Sequence, residues 1–184
     1  SKLMVSSEAT GWTDEPGTVE RCDVITTGPV RTVVTVRKAL SAGYAYEKKY
    51  AFYPRRIDLC ASINKPLSML SRAYYAQSGQ FADNVGTRAL IDGKGNDEGV
   101  TGKNRKPLWY AAYAERWAHS CIALSPFNGI AYWDAGGSWG GIGLDAAARD
   151  GMRMSYVIHP GAEDAAFADA DYRQLTAPPA ARWE

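Results

Sequence analysis

The residues with most to offer chemically are aromatic. Trp109, Tyr110, Tyr113 and Trp117 fall within nine positions, and Tyr132, Trp133 and Trp139 follow in a glycine-rich stretch. A flat indole or phenol binds the apolar C–H face of a sugar ring by stacking, while nearby polar groups read its hydroxyls. Trp133 and Trp139 flank the flexible run Ala135-Gly136-Gly137-Ser138, where two indoles are hard to bury, so they are the first candidates for ligand contact. Trp109 joins them. Trp109 and Tyr110 point to opposite sides of an alternating strand, so at most one belongs to a given interior. Asp134, Arg153 and His159 offer hydrogen bonds beside these rings. The expected partner is a poly- or oligosaccharide.

Other chemistry has fewer footholds. The sequence contains no GxSxG, HExxH, phosphate-binding loop or dinucleotide-binding glycine turn. A nucleophilic system would therefore need one of two histidines. His119 lies beside Trp117 and Cys121 on an alternating segment and reads as a structural, hydrogen-bonded residue. His159 closes a strand at a loop, where sandwich domains place binding groups. Both are retained as catalytic candidates. Asp92, Asn96 and Asp97 gather oxygen ligands in the run Asp92–Gly99, as a Ca²⁺ site requires. They lack the full EF-hand spacing, and a solvated turn is the commoner use of such a run. No other cofactor is expected. Cys22, Cys60 and Cys121 form no CxxC and have no histidine at ligand spacing, which suits free thiols or at most one bridge and argues against zinc. The basic runs Lys48-Lys49, Arg55-Arg56 and Lys103–Lys106 read as solvated surface, although a uronate would suit them.

Charge narrows the partners. In 184 residues, 21 Lys plus Arg stand against 20 Asp plus Glu, a net charge of +1. Neither a general nucleic-acid binder nor a polybasic membrane-surface protein has that balance. No stretch approaches the roughly 20 apolar residues that span a bilayer. A saccharide partner implies a secreted or periplasmic setting, which the chain itself does not encode.

These groups must be positioned by strands. Val30–Arg37, Tyr44–Tyr53 and Arg56–Ile63 alternate with period two, joined by links short enough for hairpins. In the second of them Tyr44, Tyr46, Tyr50 and Phe52 share a face that Lys48 interrupts. Strands are expected again at Leu108–Tyr113, Arg116–Leu124, Ile130–Trp133 and Met152–His159. Residues 78–107 hold six glycines and read as a long irregular segment, with weak strand character at Arg88–Ile91. One helix is predicted over Ala162–Leu175, opened by Pro160-Gly161 with acidic residues in its first turn. Its apolar stripe is thin: Phe167, Ala170 and Gln174. Many antiparallel strands and one short C-terminal helix predict a single all-β sandwich domain over residues 1–184.

Four motifs occur in an order that resembles the galactose-mutarotase-like supersandwich domains of α-mannosidase-type glycoside hydrolases and several polysaccharide lyases. Thr27-Gly28-Pro29-Val30-Arg31 resembles their GPVR entry, and Tyr53–Asp58 their following RID strand. Leu108–Tyr113 before Ser120–Leu124 is similar to their next strand pair. Ser155–Gly161 before an Ala-rich helix resembles their ending, with His-Pro-Gly where those domains tend to have Pro-His-x-Gly. The resemblance implies a supersandwich-like fold and a carbohydrate-active context, with the chain either self-standing or one piece of a larger protein. It also implies what mutarotase-like catalysis would need: a histidine facing a carboxylate such as Glu115, Asp134 or Asp145. Three functions therefore stand: a carbohydrate-binding or accessory domain, a lyase or epimerase acting on uronate-containing glycans, and a structural domain packing on a catalytic partner.

Overall fold

The computed structural model describes residues 2–7, 11–14, 17–40, 43–65, 68–75, 79–91, 106–126, 129–134, 140–147 and 152–177. Its strands are β1 (Lys2–Ser7), β2 (Gly11–Asp14), β3 (Thr18–Thr26), β4 (Thr32–Ala39), β5 (Ala45–Tyr53), β6 (Arg56–Ile63) and β7 (Ser68–Tyr75). They continue with β8 (Gly79–Asp83), β9 (Arg88–Ile91), β10 (Trp109–Ala114), β11 (Trp117–Ala123), β12 (Gly129–Asp134), β13 (Gly140–Ala147) and β14 (Met152–His159), and α1 (Ala166–Thr176) closes the described chain. Two antiparallel sheets form a sandwich-like all-β fold. One has the order β12-β13-β7-β1-β2, the other β3-β4-β5-β6-β14-β11-β10-β8-β9.

Alternation explains the nine-stranded sheet. Tyr46, Lys48, Tyr50 and Phe52 of β5 lie opposite Ile63, Ala61, Leu59 and Ile57 of β6, and Ala61, Leu59 and Ile57 in turn face Met152, Met154 and Tyr156 of β14. Apart from Lys48 and Phe52, these residues belong to one core, which Phe81, Tyr110, Ala112 and Cys121 complete. The opposite face carries a second core of small residues, Ala82, Ala111, Ala118 and Ala168, with Trp109, Tyr113 and Ile122. Small side chains there let α1 approach β10 and β11 closely.

The segment 78–107 departs from its reading as irregular. Its first half is the hairpin β8–β9, built by Asp83, whose Oδ1 accepts the N–H groups of Val85 and Thr87 at 2.9 and 2.8 Å. Such a carboxylate-made turn hides in a polar, glycine-bearing stretch. The helix also starts later than the pattern predicts. Ala162 N–H donates to the Ala114 carbonyl at 3.0 Å, which holds the approach to the helix against the β10–β11 turn. At Gly161 a Cβ would come within 2.0 Å of the Glu115 carbonyl oxygen, so only glycine allows that approach. The buried stripe of α1 is Ala168 and Asp171, with Phe167, Tyr172 and Leu175 packed beside it; Ala170 and Gln174 are exposed.

Candidate functional site

Two groups of side chains on the nine-stranded sheet carry polar chemistry. The first lies under α1. Even-numbered residues of β11 and odd-numbered residues of β14 point to the helix, which places Ser120 and His159 together below Asp171. Asp171 Oδ2 accepts the Ser120 hydroxyl at 2.6 Å and meets His159 Nε2 at 2.9 Å. Phe167 covers the imidazole, ring centroids 4.7 Å apart. The carboxylate stands between hydroxyl and imidazole. A nucleophilic relay needs the imidazole in the middle, and Ser120 is wholly buried. The cluster therefore ties the helix to the sheet. Two residues earlier on α1, Asp169 Oδ1 accepts Trp109 Nε1–H at 3.1 Å.

The second group lies on the other face. Lys48 is buried among apolar neighbours, its Nζ 5.4 Å from the Tyr46 ring and 6.0 Å from the Tyr50 ring. Burial lowers its pKa to about 8, because removing water penalises the ammonium. Burial also raises Tyr46 to about 12, helped by Tyr50, and raises Tyr50 itself. Beyond them Phe52, 40% exposed, stacks on Tyr50 with centroids 5.8 Å apart and planes 18° from parallel. Lys48 is thus no solvated surface charge, contrary to the reading of its dipeptide run; Lys49 is exposed as expected. His119 shares this face, between Tyr110 and Tyr156 at centroid distances of 5.9 and 6.1 Å. Burial lowers its pKa to about 4, which keeps the imidazole neutral.

The sequence-predicted site residues separate on this frame. Trp109 is 6% exposed and hydrogen-bonded to the helix, so it is a core residue and leaves the stacking set. His159 is half-buried with Nε2 engaged by Asp171. Arg153 is exposed on the same face, its guanidinium donating to the Leu124 carbonyl at 3.2 Å. Trp133 and Asp134 belong to β12, an edge strand of the other sheet, where Trp133 pairs with Gly141 and Asp134 with Gly140. Trp139 and the calcium candidates Asp92, Asn96 and Asp97 lie outside the described residues. His119 and His159 occupy opposite faces of the sheet, His119 pairing with Ile158 and His159 with Ala118, so one site cannot use both. Sequence reasoning missed the Tyr50–Phe52 platform. The signal was present in their shared face, but tryptophan density drew attention elsewhere.

No family model and no curated sequence matches the chain. Among solved structures, the chain is similar to α-N-acetylgalactosaminidase NagBb from Bifidobacterium bifidum in its GalNAc complex. The TM-score is 0.72 at 16% identity, over 95% of this chain and 32% of that one. A quadruple mutant of the same enzyme gives 0.67 at 19% identity, covering 95% and 33%. The Slr1438 protein from Synechocystis sp. PCC 6803 gives 0.52 at 9% identity, covering 76% and 66%. The chain thus shares its fold with about one third of a glycoside hydrolase.

Proposed function

We propose that this chain is the β-sandwich module of a carbohydrate-active protein, and that it contacts a poly- or oligosaccharide through aromatic rings. The carrying observation is the architecture, shared along 95% of the chain with part of an enzyme whose solved complex holds GalNAc. The ordered motifs point the same way, toward a mutarotase-like supersandwich. Two places suit stacking. One is the β12 segment, where the sequence carries Trp133 and Asp134 and, beyond the described residues, Trp139. The other is Tyr50–Phe52, whose outer ring is open to solvent and parallel to its neighbour. An indole or phenyl face of this kind binds sugar C–H groups, and the polar rim supplies direction. A ligand of this class would suit a secreted or periplasmic setting.

Affinity electrophoresis against a polysaccharide panel that includes GalNAc-bearing glycans tests the reading. The expected result is retardation by at least one glycan, reduced by Trp133→Ala, Trp139→Ala or Phe52→Ala. Absence of retardation by every glycan overturns sugar binding. Retardation that all three variants retain overturns these contact residues.

A further inference from the structure

Among the described residues, β3 is an edge strand bonded only to β4. Eight of its nine residues are exposed, and Asp23 is half-buried. Val19, Val24 and Ile25 are 52, 62 and 57% exposed, and Cys22 is an exposed free thiol. An edge with open backbone groups and uncovered apolar side chains pairs with another strand unless something blocks it. The usual block is charge, and here the charges are self-complementary. Thr18-Val19-Glu20-Arg21-Cys22-Asp23-Val24-Ile25-Thr26 has Cys22 at its centre. A second copy laid antiparallel about that centre sets Cys22 against itself, Arg21 against Asp23 twice and Glu20 against Val24 twice.

We propose that β3 pairs with the β3 of a second copy of this chain across a two-fold axis at Cys22. The registers Cys22↔Val36 and Val24↔Val34 put Cys22 and Val24 on the face that carries Lys48, while Arg21↔Arg37 and Asp23↔Thr35 put the charges on the other. In the pair, two thiols meet on one face with a Val24 diagonal to each, and two Arg21–Asp23 contacts form on the other. Each chain already joins Arg21 to Asp23, and Arg37 to Glu20 at 3.0 Å, so the seam becomes an alternating charge network. Shifts in register between Val19 and Arg21 and between Val24 and Thr26 twist the strand ends, which confines regular pairing to its middle. A short seam of this kind is self-complementary, as a two-fold interface must be, and belongs to the weak, micromolar class. The pairing is independent of saccharide binding.

Sedimentation of the reduced chain across a concentration series, with diamide cross-linking as a second readout, tests it. The expected species is a reversible dimer. Arg21→Asp sets Asp against Asp and weakens it about tenfold. The double exchange Arg21→Asp with Asp23→Arg restores opposite charges and affinity. Diamide takes one hydrogen from each Cys22 thiol and yields a covalent dimer. Cys22→Ser abolishes that covalent species and leaves sedimentation unchanged. Arg21 and Cys22 are exposed and Asp23 is half-buried, and circular dichroism confirms the fold of each variant. A monomer at every concentration, a dimer indifferent to Arg21→Asp, or a covalent dimer persisting in Cys22→Ser overturns the proposal.

Discussion

The two ends of the nine-stranded sheet solve the same problem differently. At the β10–β11 end, α1 lies on alanines, and polar groups beneath it are paired: Ser120 and His159 with Asp171, and Trp109 with Asp169. At the β3 end Val19, Val24 and Ile25 face solvent. Between them β5 carries a buried lysine among tyrosines. The difference teaches that burial, rather than strand propensity, decides what each strand contributes: β3 and β11 both form strands, yet α1 anchors β11 alone of the two.

Four substitutions break or sharpen that contrast. Asp171→Ala should cost the most, about 3–4 kcal/mol in urea unfolding, since two bonds to a buried carboxylate go together. Lys48→Met should show its effect through pH. Below about pH 8 the folded and unfolded states both carry the charge, and its burial works against folding. Between about 8 and the ordinary lysine value of 10.5 the unfolded chain binds more protons, so wild-type stability gains on Lys48→Met as pH rises. The gap should narrow by about 3 kcal/mol from pH 7 to 10.5, and a constant gap would place the ammonium in water. Trp109→Phe should cost about 1 kcal/mol, the value of one indole hydrogen bond with packing kept. Val24→Thr should lie within about 0.5 kcal/mol of wild type at monomer concentration. If it costs as much as Trp109→Phe, the two ends are not different after all.

Much of the sheet was legible in single residues. Arg56–Ile63 and Met152–His159 alternate so cleanly that both strands match their predicted bounds. Tyr46, Tyr50 and Phe52 share the face assigned to them, because side chains in a strand alternate whatever surrounds it. β8 was lost because its hairpin depends on Asp83 folding its carboxylate onto two backbone N–H groups. The helix stripe was misplaced because an aspartate at position 171 reads as exposed until a histidine and a serine come up from the sheet to meet it.

The sequence by itself determined which residues lie on which side of the strands it marked, such as Arg56–Ile63 and Met152–His159, and hence an all-β body with one terminal helix. Periodicity is local, so neighbours along the chain suffice to set it. Only the tertiary structure decided that Trp109 is a core residue, that Lys48 is buried and that His119 and His159 stand on opposite faces. Those outcomes depend on groups that are far apart in sequence, such as Asp171, 51 residues from Ser120, and burial is a property of what arrives from elsewhere.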